Sequence, residues 1–203
     1  MKRIVSLTAA ISLAICVCAM AEDAKAKSAE VVGKISAAID ANAGIPDGTK
    51  KLLKEKVLPL CTNAVLLKET KDQNAKNIAL DAIKKDEAAW AAAEDETPLI
   101  KEKLNNACAQ EVKKALASIP EAVECFVKDK QGASVGQNRL TSSYWHGEKP
   151  KFKEAYNEGK GGLYVGKPEF DKSSNAKCQQ FGLPIIDADG AAVGTFVIGI
   201  KTE

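Results

Sequence analysis

Histidine, arginine and aromatic side chains are scarce in this chain of 203 residues, which holds one histidine (His146), two arginines (Arg3 and Arg139) and ten aromatics. A histidine-based catalytic triad would have to be built on His146, yet no G-x-S-x-G or comparable nucleophile turn occurs. The same residue has no neighbouring Cys or Asp cluster and makes a poor metal site, so His146 is expected to be an exposed loop residue. Cys61, Cys108, Cys125 and Cys178 are widely spaced, with no C-x-x-C or C-x-x-C-H. That spacing argues against a thioredoxin-like redox site, a zinc knuckle or a covalent haem. A formal net charge of +2 with interspersed signs supplies neither the dense positive stripe that nucleic acid demands nor a basic membrane-surface patch. Together these absences exclude no fold, but they call for no enzyme, no cofactor, no metal and no nucleic-acid partner.

The start of the chain is distinctive. Lys2 and Arg3 precede an apolar stretch from Ile4 to Cys18 and a small-x-small close at Ala19-Met20-Ala21, followed by Glu22 and Asp23. This is the pattern of a secretory signal peptide over residues 1–21. Its apolar part is shorter than the roughly 20 residues that span a bilayer, so no stable membrane insertion is expected. Bulky Ile15 and Val17 before Cys16 and Cys18 argue against lipid attachment. Loss of Lys2 and Arg3 would leave 27 basic residues against 27 acidic ones. The product should be a neutral, soluble protein of the periplasm or another exported setting. There the four remaining cysteines, Cys61, Cys108, Cys125 and Cys178, are candidate disulfide or packing residues, with three connectivities open.

Composition changes near residue 118. Nine of the ten aromatics lie at or beyond Phe126, and eleven of the fourteen glycines lie from Gly132 onward. Before the change, apolar residues recur at helical spacing: Val31, Val32, Ile35, Ala38 and Ile39, then Leu52, Leu53, Val57 and Leu60. Gly44, Pro46 and Gly48 separate these two helices. A third is expected from about Thr62 to Trp90 with an interruption near Asp72. A last one is capped by Thr97, has Pro98 in its first turn and runs to Leu116. Beyond Pro120 the residues alternate as in a strand, Val123 to Lys128. The pattern D-x-x-G-x-x-V-G occurs twice, at Asp129 to Gly136 and Asp187 to Gly194. Both copies read as hairpin turns in which Asp bonds the turn backbone and Gly takes a positive φ. The second copy, Asp187-Ala188-Asp189-Gly190, lacks the further carboxylates of a calcium loop. Further strands are expected at Leu163 to Val165, Lys177 to Ile186 and Ala192 to Ile200. Five strands with a long excursion between the second and third is the order of a PAS-like sheet, and short connections elsewhere favour antiparallel neighbours.

The run from Val135 to Phe152, V-G-Q-N-R-L-T-S-S-Y-W-H-G-E-K-P-K-F, resembles the pocket region of extracytoplasmic Cache sensors, also called PDC domains. So does the later progression from Gly161-Gly162-Leu163-Tyr164-Val165-Gly166 through Glu169-Phe170-Asp171 to the strand ending Leu183-Pro184-Ile185-Ile186-Asp187. Gln73-Asn74-Ala75-Lys76, Asp86 and Trp90 resemble the helical lead-in of stand-alone exported members. The resemblance implies an α+β fold in which N-terminal helices pack on a five-stranded antiparallel PAS-like sheet. It divides the chain into a signal peptide at 1–21, a helical segment at 22–95, and a single Cache domain with its leading helix at 96–203. It also implies a small molecule bound, without reaction, between the sheet and the loops from Thr141 to Phe170. The R-x-W-Y arrangement of the amino-acid-binding branch is missing.

Candidate ligand-binding residues are Arg139, Tyr144, Trp145 and Tyr156. A guanidinium presents paired donors that match a carboxylate, and aromatic walls with a hydroxyl or indole donor enclose and orient a small ligand. Phe152 fits the core better, and Lys151 and Lys153 would add positive potential. With no output domain of its own, such a sensor would pass its signal to a membrane receptor or kinase partner. The alternatives are an exported helical adaptor or scaffold that forms a homodimer, and a thiol-dependent redox factor.

Overall fold

A computed structural model describes residues 7–171 and 175–202. The expected signal peptide falls on residues of which only the helical backbone from Leu7 on is described. Helix α1 (Leu7–Ala41) turns its Ile35 and Ile39 stripe inward, and both side chains are buried. The Gly44-Pro46 break follows, where Asn42 Oδ1 accepts from the Gly44 N–H at 2.9 Å. The next expected helix begins as α2 (Asp47–Leu52), then loosens into a π-turn at Leu53–Val57 and tightens into a 3-10 turn at Leu58–Thr62 containing Pro59. Asn63 starts α3 (Ala64–Ala75) by accepting from the backbone of Val65 and Leu66. The interruption expected near Asp72 lies a little later, where Asn77 adopts φ 46° before α4 (Leu80–Ala91).

Thr97 caps α5 (Pro98–Asn105) through the Ile100 N–H, as its sequence suggests. The single helix expected to run on to Leu116 is broken at Asn106, which caps a second one, α6 (Ala107–Ala117). Asn106 also donates to the Val135 carbonyl at 2.7 Å. The break therefore fastens both helices to the sheet.

Six strands form the sheet where five were expected: β1 (Ala122–Asp129), β2 (Ser134–Gln137), β3 (Tyr164–Val165), β4 (Glu169–Asp171), β5 (Ala176–Ile186) and β6 (Ala192–Lys201). Every pairing is antiparallel and the order is β2-β1-β6-β5-β3, with the added short β4 also on β5. The two long C-terminal strands thus lie at the centre. This is the α+β arrangement, helices on an antiparallel sheet, that the PAS-like reading implies. Both D-x-x-G turns have the expected chemistry. Asp129 Oδ1 accepts from Gln131 and Ala133, Asp187 Oδ1 accepts from Asp189 and Ala191, and Gly132 and Gly190 take φ 85° and 80°.

One face of the sheet, carrying Cys125, Val127, Phe181, Leu183, Phe196 and Ile198, closes the main core against Ile35, Ile39, Leu53, Leu66 and Val112 of the helices. The helical segment and the sheet therefore share one interior. A smaller cluster of Ile83, Trp90, Ile100, Ala133 and Tyr144 joins α4 and α5 to the loop after β2. Among the described residues no helix is long and apolar enough to cross a membrane.

Candidate functional site

Strand register fixes what the opposite face of the sheet presents, because directly paired residues in antiparallel strands point to the same side. Lys128 pairs with Ser134 on one side and Thr195 on the other, and Thr195 with Pro184. Phe126 pairs with Gln137 and Val197, and Glu124 with Gly199. Where the helix-side rows are apolar, these rows carry lysine, glutamate, glutamine, threonine and serine. The excursion between β2 and β3 covers them, including helix α7 (Pro150–Tyr156), which Pro150 opens and Asn157 ends at φ 48°. Gly182 lets α7 approach, since a Cβ there would stand 2.6 Å from the Lys151 carbonyl oxygen.

At the centre of this layer is a cluster of basic side chains. Lys128 is fully buried. Its Nζ donates to the carbonyls of Ser143 at 3.3 Å and Tyr144 at 2.8 Å, and stands 5.3 Å from the centroid of the Phe126 ring. It makes no ion pair among the described residues. Burial drives its pKa well below the ordinary lysine range, the charge of Lys149 and, least, that of Lys151 push it the same way, and Glu87 and Asp129 pull against them. Lys149 Nζ donates to Ser143 Oγ at 2.7 Å and Lys151 Nζ to Gln180 Oε1 at 2.7 Å. Lys151 also lies 5.7 Å from the Phe126 ring centroid. Thr141 Oγ1 and Ser134 Oγ both donate to Gln137 Oε1, so the carbonyl end of that amide is engaged.

Three buried polar atoms of the same layer have no hydrogen-bond partner among the described residues: Gln137 Nε2, His146 Nδ1 and Thr195 Oγ1. Buried polar groups are normally paired, because leaving one unmade costs about 1–3 kcal/mol. Several cationic groups and orphaned donors facing one another under cover suit an incoming group rich in acceptors and negative charge.

His146 differs from its expected exposed state. It is 4 % exposed, its ring meets Phe126 edge-on with centroids 5.0 Å apart, and its backbone N–H donates to the Gly132 carbonyl at 2.8 Å. The Asp129 turn folds back on the His146-Gly147 strip, and a Cβ on Gly132 would collide with the Gly147 nitrogen at 2.5 Å. Burial first, then Lys128, Lys149 and Lys151, hold the imidazole neutral far below its usual pKa. A lone histidine among loop glycines gave no sign of this contact in the sequence.

The candidate residues separate. Trp145 and Tyr156 line an open cleft of about 690 Å³ on the outer side of the excursion, together with Phe152. Tyr144 is 1 % exposed and packs against Trp90 in the smaller core cluster, centroids 5.6 Å apart, while Trp90 Nε1 donates to the Thr141 carbonyl at 2.8 Å. Arg139 is half-buried in the loop after β2 and does not line the cleft. Sequence reasoning missed Lys128, Lys149, Gln137 and Thr195. For Lys128 a signal existed: a lysine in an even position of a strand whose odd positions are Cys125 and Val127 has to lie on the other face.

The cysteines need a correction. Cys61, Cys108, Cys125 and Cys178 are buried, and no disulfide forms among the described residues. Burial raises the thiol pKa of Cys61, Cys108 and Cys125. A redox factor requires an accessible, activated thiol, and these are neither. Cys61, Cys108 and Cys125 lie in the core that the helices close, whereas Cys178 is buried on the other face of β5, in line with Gln180 and Gly182.

No protein-family model and no curated protein sequence matches this chain. Among solved structures, it is similar to the ligand-binding domain of the Campylobacter jejuni chemoreceptor Tlp3 in complex with 4-methylisoleucine, at 17% identity and a TM-score of 0.38, over 75% of this chain and 59% of that one. It is similar to the extracellular domain of the histidine kinase rpHK1S-Z16, at 12% identity and a TM-score of 0.37, over 70% and 53% of the two chains. The sensor domain of the V. cholerae histidine kinase DctB matches at 14% identity and a TM-score of 0.32, over 67% and 55%. Aligned to these structures, the chain spans between half and three-fifths of their length. At such identities and scores, the ligand of this chain has to be read from its own residues.

Proposed function

We propose that the protein is an exported Cache-type, PAS-like sensor module that binds a small carboxylate-bearing metabolite without transforming it. The signal then passes to a separate partner, a membrane receptor or kinase. Residues 1–21 are removed on export. The helical segment 22–95 and the sensor unit 96–203 act as one body because their side chains share the main core. The observation that carries the reading is Lys128, a fully buried lysine bonded, among the described residues, to two carbonyl oxygens and facing Lys149, Lys151 and His146. Burying such a charge costs several kcal/mol unless it is paired, so an anion that pairs it would recover that cost on binding.

A thermal-shift screen of small mono- and dicarboxylates on the full chain tests this. A ligand at a hundredfold excess over its Kd stabilises by about 2.7 kcal/mol, which for a protein of this size raises Tm by roughly 5–10 °C. The hit should lose its effect in Lys149→Gln, at the half-buried edge of the basic cluster. A complete panel without a shift, or a hit indifferent to Lys149→Gln, would overturn the reading.

A further inference from the structure

The cleft of about 690 Å³ outside the basic cluster falls in the size range of small-molecule sites, and it holds Trp145 and Tyr156, two of the candidate residues from the sequence. Its walls are aromatic and held from behind. Phe152 and Tyr156, one turn apart on α7, stack with their rings 5.3 Å apart and 12° from parallel. The indole of Trp145 is pinned by its Nε1, which donates to the Gln131 carbonyl at 2.7 Å, while its backbone N–H donates to Glu87 at 2.8 Å. Gly147 makes room for the ring, since a Cβ there would lie 2.5 Å from Nε1. Exposed Leu80 adds apolar surface to the same cleft. The rim is basic. Lys130 and Lys153 line the cleft with Glu158, but Glu158 pairs with Lys160 at 3.6 Å, and neither Lys130 nor Lys153 has an ion pair among the described residues. The backbone that closes the rim runs through consecutive left-handed residues, Asn157, Glu158 and Gly159, with φ of 48°, 54° and 84°. Strained stretches of this kind persist where surrounding structure fixes them, and they concentrate at ligand clamps.

We infer that this cleft is a second binding site, separate from the basic cluster around Lys128, for a planar aromatic carboxylate. Its ring would lie against the Trp145, Phe152 and Tyr156 surfaces, and its carboxylate would meet Lys130 and Lys153. A flat ring suits walls that are themselves flat and fixed, because little side-chain freedom remains to be lost on binding. Two lysines without acid partners supply the charge that selects an acid over a neutral aromatic of equal size.

Isothermal titration of the full chain with 4-hydroxybenzoate, benzyl alcohol and succinate tests the inference. The aromatic acid should bind at least about fivefold more tightly than the neutral alcohol. Tyr156→Ala and, at the exposed rim, Lys153→Gln should each weaken it by about threefold or more. Lys149→Gln and saturating succinate should leave its affinity unchanged, which separates this site from the basic cluster. No binding of 4-hydroxybenzoate would overturn the proposal. So would an affinity indifferent to Lys153→Gln, or one lost with Lys149→Gln or under succinate competition. If Tyr156→Ala fails to fold, the Lys153→Gln comparison alone decides.

Discussion

The imidazole of His146 meets the Phe126 ring edge-on at 89°, with centroids 5.0 Å apart, so the single histidine is packed as a core residue beneath the excursion. Burial and the three lysines keep it from taking a proton in the folded state. The unfolded chain protonates normally at pH values below about 6.5. A histidine with a depressed folded pKa contributes stability that is fully present above that value and lost as pH falls. Stability to denaturant should drop between pH 6.5 and 5 by up to about 1.4 kcal/mol per unit, and His146→Gln should flatten the slope. Equal slopes in both proteins would show that His146 titrates freely.

Lys128 is expected to trade stability for binding. Its depressed pKa means that the contribution is present only above the ordinary lysine value, about 10.5, and is already lost at neutral pH. Lys128→Met removes two hydrogen bonds worth about 1 kcal/mol each, but also a burial cost of several kcal/mol. The variant should therefore melt no lower than the parent at pH 7 and bind no carboxylate. A loss of several degrees together with retained binding would contradict this assignment.

Gly182 sets the depth of the covering layer. An added methyl would meet the Lys151 carbonyl oxygen at 2.6 Å and the Ala155 Cβ at 3.2 Å, so α7 has to move outward. Gly182→Ala should cost about 1–3 kcal/mol in chemical denaturation and weaken carboxylate binding at the basic cluster in the same variant. Unchanged stability would mean that α7 does not rest on β5.

Thiol reactivity offers a direct check on the core. Cys61, Cys108, Cys125 and Cys178 should resist iodoacetamide in the native protein and react on unfolding, without prior reduction. Rapid native labelling, or a requirement for reductant, would show that these side chains are exposed or bridged.

Much of this was legible locally. Thr97 and Pro98 announced a helix start, Gly44 and Pro46 a break, and the two D-x-x-G repeats their turns, because each depends on residues a few positions apart. Strand β4 was missed because a three-residue strand has too little alternation to read, and its partner lies in β5. Asn106 was hidden because its effect, capping α6 while holding Val135, requires the sheet to be in place. At the site, the sequence drew attention to the aromatics of the excursion, but it could not divide them. Tyr144 and Trp145 are adjacent, yet one turns to Trp90 and the other to the outer cleft. Lys128 and Lys149 were passed over because an isolated lysine is normally solvated, and only pairing across three strands shows that Lys128 has no route to water.

The most direct measurement is a crystal structure of the full chain, purified without denaturation and soaked with the carboxylate that gives the largest thermal shift. The account predicts an anion within about 3 Å of Lys128 Nζ, in reach of His146 Nδ1 or Gln137 Nε2. Side chains packed solidly through that space, with the carboxylate bound elsewhere, would contradict it.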